Sequence, residues 1–288
     1  MNTSSNGNLH CAGRFSFLAP EEMRETGRSQ SIYRTSVSTA LVAPGGAQAY
    51  WNQRLAKIRA IEPPTEGDLP RTFELQPGVS AVWYVENRSF PDILTLESME
   101  PLGDYVLVVD READKGKESL AETLVKEIVG SYAPSTDRGF CVGQGAITLE
   151  PSRNEEASVS FAHATANGIE VRFETQTVHA PDTTTYSNVE EEKDFASSAG
   201  GSLTVLREEP RSAAGLPGKE IRISAAFPDE EPMVRFTWHY PGVGRSGEQP
   251  AIDLVGSAPA DRQALLEKIW ETLLNSLRAV PLAPAQAG

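Results

Sequence analysis

Apolar and polar residues alternate along most of this chain, and the alternation gives way to a helical period in only three places. Residues 13–19 alternate as a half-buried strand does, and so do residues 31–42, through Ile32, Arg34, Val37, Thr39 and Leu41. After Pro44-Gly45-Gly46 the period lengthens to that of a helix, with Trp51, Leu55 and Ile58 on one face and a stop at Pro63-Pro64. The runs 71–76, 79–88, 92–99 and 104–110 predict four more strands. Gln76-Pro77-Gly78 and Leu102-Gly103-Asp104 read as hairpin turns between neighbours. A second helix over 117–131 aligns Leu120, Leu124 and Ile128, with Val125 and Val129 beside them.

The second half repeats the plan. A strand over 140–149 leads to strands over 157–165 and 169–178, separated by the hairpin signal Asn167-Gly168. The polar stretch 180–201, which holds Thr183-Thr184-Thr185 and Glu190-Glu191-Glu192, is longer than most connections in a compact domain. It is mobile, functional, or hides a short helix. Strands near 203–208, 219–227, 233–240 and 251–256 follow. A closing amphipathic helix over 260–278 carries Leu266, Ile269, Trp270, Leu273, Leu274 and Leu277 on one broad face.

Strands that turn back on themselves, with few helices, define an α+β protein with mainly antiparallel sheets and packed helices, and exclude a doubly wound fold. Ala133-Pro134-Ser135-Thr136-Asp137 is the best linker, which gives two domains, 1–136 and 137–288. Cys11-Ala12-Gly13 and Cys141-Val142-Gly143 each open a strand that ends at a proline. A duplication would account for this and would require the same strand order in both halves.

At 288 residues and 39% hydrophobic composition the chain can fill sizeable cores. No run approaches the roughly 18–20 apolar residues of a membrane span. Its formal charge of -14 disfavours nucleic acid and anionic membranes as partners. Acids exceed bases on both sides of Thr136, so averaging conceals no basic arm. The field either keeps the protein soluble or steers a basic protein partner toward it. Met1–Asn8 reads as neither a signal peptide nor a transit peptide.

Candidate chemistry is sparse. Two cysteines, Cys11 and Cys141, are too few for a four-thiolate zinc site. They are two buried thiols or one disulfide, and the spacing leaves both open. Gly242-Val243-Gly244-Arg245-Ser246-Gly247 matches a dinucleotide fingerprint, but a strand rather than a helix follows it, so it reads as a hairpin loop. Gly215-Leu216-Pro217-Gly218-Lys219-Glu220 is a turn into a strand, and no nucleophile elbow occurs. His10, His163, His179 and His239 lack metal-ligand spacing. Only His163 and His179, on the two arms of one hairpin, are placed to share an ion. Glu190, Glu191, Glu192 and Asp194, and Asp229, Glu230 and Glu231, are expected in solvated loops. There their pKa values would not be driven apart for catalysis, which leaves solubility or a partner-facing role. No catalytic, cofactor or metal residue is assigned.

Ordered blocks across most of the chain resemble the immunity proteins that protect bacteria from type VI secretion lipase effectors. Cys11-Ala12-Gly13-Arg14-Phe15 is similar to the family's opening strand, and Phe140-Cys141-Val142-Gly143-Gln144-Gly145-Ala146-Ile147 to the opening of its C-terminal domain. Gly215–Glu220, Phe236-Thr237-Trp238-His239-Tyr240-Pro241-Gly242, Pro250-Ala251-Ile252-Asp253-Leu254 and the helix Ile269–Arg278 follow in order. Ala279-Val280-Pro281 stands where a more basic run is usual. The resemblance implies a periplasmic, non-enzymatic inhibitor of a phospholipase, with a Cys11–Cys141 disulfide. It also implies an export signal, which the chain does not display and which is expected to have been removed. Inhibition would work by holding the lipase lid or blocking its cleft. Loops 180–201, 228–232 and 242–249, with the acids above and Arg245, would be the contacts. The competing expectations are a cell-envelope enzyme or small-ligand carrier with an interdomain site, and an oligomerising envelope component.

Overall fold

A computed structural model describes residues 7–61, 70–87, 89–181 and 189–281. Pro63-Pro64, Thr183-Thr184-Thr185 and residues 1–6 lie outside them. In chain order the elements begin with β1 (Gly7–Ala12), β2 (Phe15–Pro20), β3 (Met23–Ile32), β4 (Thr35–Leu41) and α1 (Ala47–Arg59). Next come β5 (Arg71–Gln76), β6 (Val79–Tyr84), β7 (Ile93–Pro101), β8 (Tyr105–Asp114) and α2 (Glu118–Gly130). Short strands follow, β9 (Tyr132–Ala133), β10 (Phe140–Val142) and β11 (Gly145–Ile147), then β12 (Glu155–His163), β13 (Glu170–Gln176) and α3 (Val189–Ser198). The chain closes with β14 (Ser202–Ala213), β15 (Leu216–Ala226), β16 (Met233–Tyr240), β17 (Ala251–Pro259), α4 (Gln263–Ser276) and β18 (Arg278–Ala279). The fold is α+β and its sheets are antiparallel.

Chain contacts divide the protein into two units whose boundaries fall at 29/30 and 150/151. Among the described residues, one unit comprises 7–29 and 151–281 and the other 30–150. In the first, the sheet order β14-β15-β16-β17-β13-β12 continues with the early part of β3, and β1-β2-β18 form a small second sheet. Its core is aromatic: Phe17 lies 5.0 Å from Phe173 and 6.0 Å from Phe161, and Trp270 of α4 meets Phe236 edge-on at 5.8 Å. In the second unit the order is β4-β8-β7-β6-β5, with β9, β10 and β11 as a small separate sheet. Trp51, Leu55 and Ile58 of α1 pack on Val82, Tyr84, Met99, Val106 and Val108. The opposite face, which carries Trp83, receives α2, whose Glu122 accepts the indole N–H at 3.0 Å.

Several sequence expectations change. The strand expected over 31–42 is interrupted at Tyr33-Arg34, both with positive φ (54° and 59°), which close a two-residue hairpin from β3 to β4. Turns of this kind normally use Asn or Gly, so the sequence carries no sign of it. Gly143, at φ 54°, likewise splits the strand expected over 140–149 into a hairpin. On α2 the buried stripe is Ala121, Val125, Ile128 and Val129, while Leu120 is 69% exposed, so the inward face is rotated from the expected one. Glu190, Glu191, Glu192 and Asp194 lie on helix α3, not in a loop. Among the described residues no helix is long and apolar enough to cross a membrane.

Candidate partner-binding surfaces

Helix α3 buries a single side chain, Ala196, so packing alone does not account for it. Its first turn carries Glu190, Glu191 and Glu192 against the positive end of the helix dipole, and Lys193 pairs with Glu190 at 2.7 Å. The far end is capped by Gly200 at φ 74° and by the Gly201 N–H donated to Ala196 O at 2.8 Å. A Cβ at Gly201 would stand 2.6 Å from Ala226 O, so glycine lets the chain pass closely over the end of β15. Glu192 pairs with Arg235 on β16, fixing the helix to the sheet.

The second acidic run occupies the turn between β15 and β16. Asp229 sits at φ 63°, and Asp229, Glu230 and Glu231 are exposed without an ion-pair partner among the described residues. Pro228 of this turn flanks Gly200, so both acidic runs meet at one end of the first unit's sheet. Two apolar side chains that the sequence reading passed over join them, Phe195 at 68% exposed and Met233 at 37%. The only sequence signal for Phe195 is an aromatic residue inside an otherwise charged run.

Arg245 does not share this surface. It lies exposed, at φ 61°, in the loop that leaves the opposite end of β16. The eight residues of β16 separate the two ends by about 24 Å at strand rise. The glycines of that loop have structural roles: a Cβ at Gly244 would lie 2.8 Å from His179 O, and Gly242 has φ 73°. A strand follows, as the sequence predicts, so no helix N-terminus is offered to a phosphate.

Helix α4 is joined to the sheet by a partly buried charge network. Arg211 of β14 donates to Glu220 at 2.7 Å and to both oxygens of Glu271 at 2.9 and 2.6 Å. Arg222 pairs with Glu220, Glu267 and Glu271 and stacks 4.5 Å above the Phe236 ring. Hydrogen bonds from Arg211 hold the Glu271 carboxyl below the usual range, against the opposing effect of burial. Trp270 Nε1 donates to Glu220 at 3.2 Å and Trp238 Nε1 to Arg211 O at 2.8 Å. The blocks Gly215–Glu220, Phe236–Gly242 and Ile269–Arg278 therefore converge on one scaffold and not on an exposed surface.

Three of the four histidines have local partners, and His179 is exposed. His163 Nδ1 accepts from the Thr165 and Ala166 N–H groups at 3.2 and 3.0 Å, and His239 Nδ1 lies 2.7 Å from Asp253. His10 stands edge-on to Phe161 and 3.6 Å from Glu25. No group of three or more metal-ligating side chains occurs among the described residues. Cys11 and Cys141 are both buried, one in β1 and the other in β10.

A family model for the C-terminal domain of Tle cognate immunity protein 4 matches residues 133–281, just over half of the chain. The protein is thus an immunity protein, and the chain belongs to that family. No curated protein matches it. A chain in the crystal structure of the Tle4–Tli4 complex is similar with a TM-score of 0.78 and 17% identity, covering 98% of this chain and 100% of that one. The apo structure of TplEi, an immunity protein of T6SS from Pseudomonas aeruginosa, is similar with a TM-score of 0.78 and 16% identity, over 98% and 99% of the two chains. The same protein complexed with an "L" peptide gives a TM-score of 0.71 and 17% identity, over 96% and 99%.

Proposed function

We propose that this chain is a non-enzymatic inhibitor that binds a cognate type VI secretion lipase effector in the periplasm and holds its lid or blocks its cleft. Family membership over residues 133–281 is the observation that carries the reading. The solved complex named for Tle4 and Tli4, which shares the fold, supports an effector protein as the partner. Inhibition of this kind needs complementary shape and charge over roughly 800 Å² per partner and no catalytic constellation.

The contacts proposed are α3 with Glu190, Glu191, Glu192 and Asp194, and the turn bearing Asp229, Glu230 and Glu231. Phe195 and Met233 would supply the apolar centre that an acidic rim surrounds. Arg245, at the other end of β16, would need a second point of contact. The 1–136 and 137–288 blocks remain our proposed sequence modules. The Cys11–Cys141 disulfide is carried by the resemblance alone, and nonreducing mass analysis decides it.

Co-expression with lipases encoded beside this gene, followed by pull-down and a phospholipase assay, tests the function. A co-purifying lipase whose activity is suppressed is the expected result, and no capture of any such lipase overturns it. Reversing Glu190, Glu191 and Glu192 to lysine should weaken capture by about tenfold or more, as loss of several complementary charges does. Unchanged affinity would leave the function standing and remove α3 from the interface.

A further inference from the structure

In the second unit, helix α1 lies over a cavity of about 310 Å³ on the β4-β8-β7 face, near the small end for ligand sites. Four charged side chains line it: Arg54 and Lys57 from the helix, Glu97 from β7 and Asp110 from β8. Two of them neutralise each other. Arg54 donates through Nε and Nη2 to the two Glu97 oxygens, each at 2.7 Å, and Tyr84 OH is 3.3 Å from the same carboxylate. Arg54 is accordingly held above its ordinary range, first by its hydrogen bonds to Glu97.

The other two charges are left over. Neither Lys57 nor Asp110 has an ion-pair partner among the described residues. Asp110 stands directly across from Glu97 in the β7–β8 register, an arrangement that like charges disfavour. Burial, reinforced by Glu97 and Glu86, raises the Asp110 carboxyl above its usual range, despite a hydrogen bond to Ser36 and the nearby Arg54. Lys57 is exposed on the rim, one helical turn from Arg54. The Ser38 and Tyr50 hydroxyls and the Gln53 amide complete the polar lining.

We propose that this cavity binds a small zwitterion, whose ammonium group meets Asp110 and whose oxyanion meets Lys57. A lone anion entering the cavity would face Asp110, and a lone cation would face Lys57. A ligand with both charges satisfies each without disturbing the Arg54–Glu97 pair. The volume suits a molecule of about amino-acid size. A free amino acid and a phosphoethanolamine group share this chemistry.

Calorimetric titration of the full chain with glutamine, phosphoethanolamine, ethylamine and acetate tests the assignment. At least one zwitterion should bind about tenfold or more tightly than either singly charged probe, and D110N and K57M should each cost about tenfold, the worth of a charged hydrogen bond. Binding of glutamine alone identifies a free amino acid as the ligand, and binding of phosphoethanolamine alone a phosphate ester. Binding of both supports the shared chemistry. D110N removes a like-charge contact, so its thermal midpoint should not fall, and lost binding can then be ascribed to the cavity. If no probe binds at millimolar concentration, or if ethylamine binds as well as the zwitterions and K57M strengthens it, the proposal is overturned.

Discussion

Gly218 shows why some positions in this chain admit little variation without touching any partner. Its φ is unexceptional, so backbone freedom does not explain it. A Cβ would stand 2.5 Å from the Trp238 ring, which is fully buried and fixed by its bond to Arg211 O. Gly218→Ala should therefore lower the urea midpoint by the equivalent of about 1–3 kcal/mol, the usual cost of overpacking. A midpoint equal to that of the parent would show that the indole can move aside. The proposed contact residues obey another rule. Glu190, Asp194 and Phe195 are exposed, and substitutions at such positions ordinarily change stability by less than about 0.5 kcal/mol.

Among the elements, legibility followed burial. The helices α1 and α4 were visible because Trp51, Leu55 and Ile58, and Leu266, Ile269, Trp270, Leu273 and Leu274, repeat at helical spacing on a buried face. Strand β3 was not, because Arg24-Glu25-Thr26-Gly27 stay exposed and erase the alternation. Helix α3 was hidden for a related reason: it buries only Ala196 and is held by capping and by the Glu192–Arg235 pair, neither of which has an apolar period. On α2 the small Ala121 takes the inward position that Leu120 seemed to claim by hydrophobicity. The charge network was equally invisible, since Arg211 meets the neighbours Glu220 and Arg222 only through β14–β15 pairing, and Glu271 joins them from α4, 60 residues from Arg211. Removing Glu220, which is fully buried, strands two guanidinium groups that keep only Glu267 and Glu271. Glu220→Ala should cost about 3 kcal/mol in chemical denaturation. A loss within experimental error of zero would mean that water replaces the carboxylate.

For the whole molecule, composition gave the broad class and the ordered blocks gave the family, while the geometry of the proposed contact surfaces came from neither. Three of the six blocks that carry the family resemblance turn out to be the scaffold of β15, β16 and α4. The acidic runs were legible as runs. Their convergence at one end of a sheet, with Arg245 at the other, depended on strand direction. A formal charge of -14 also has a consequence for association. If a basic effector is steered by this field, its affinity should fall as salt rises from about 0.05 to 0.5 M, because the Debye length shrinks from over 10 Å to a few ångströms. Triple reversal at Glu190, Glu191 and Glu192 should flatten that dependence. A parent affinity indifferent to salt would assign the binding to apolar contact.

The chain's path adds one more consequence, for the order in which the protein can be made. Residues 7–29 belong with residues 151–281, and 30–150 form a unit between them. Arg14 reaches its buried carboxylate partner, Glu155, across 141 residues of chain, and β2 completes its sheet only with β18 at Arg278–Ala279. A nascent polypeptide therefore emerges with its first strands waiting, while the segment behind them already holds the partners for most of its own contacts. Synthesis halted before β12 and β13 would leave Phe15 and Phe17 without Phe161 and Phe173, the rings they pack against, a state that holding chaperones recognise.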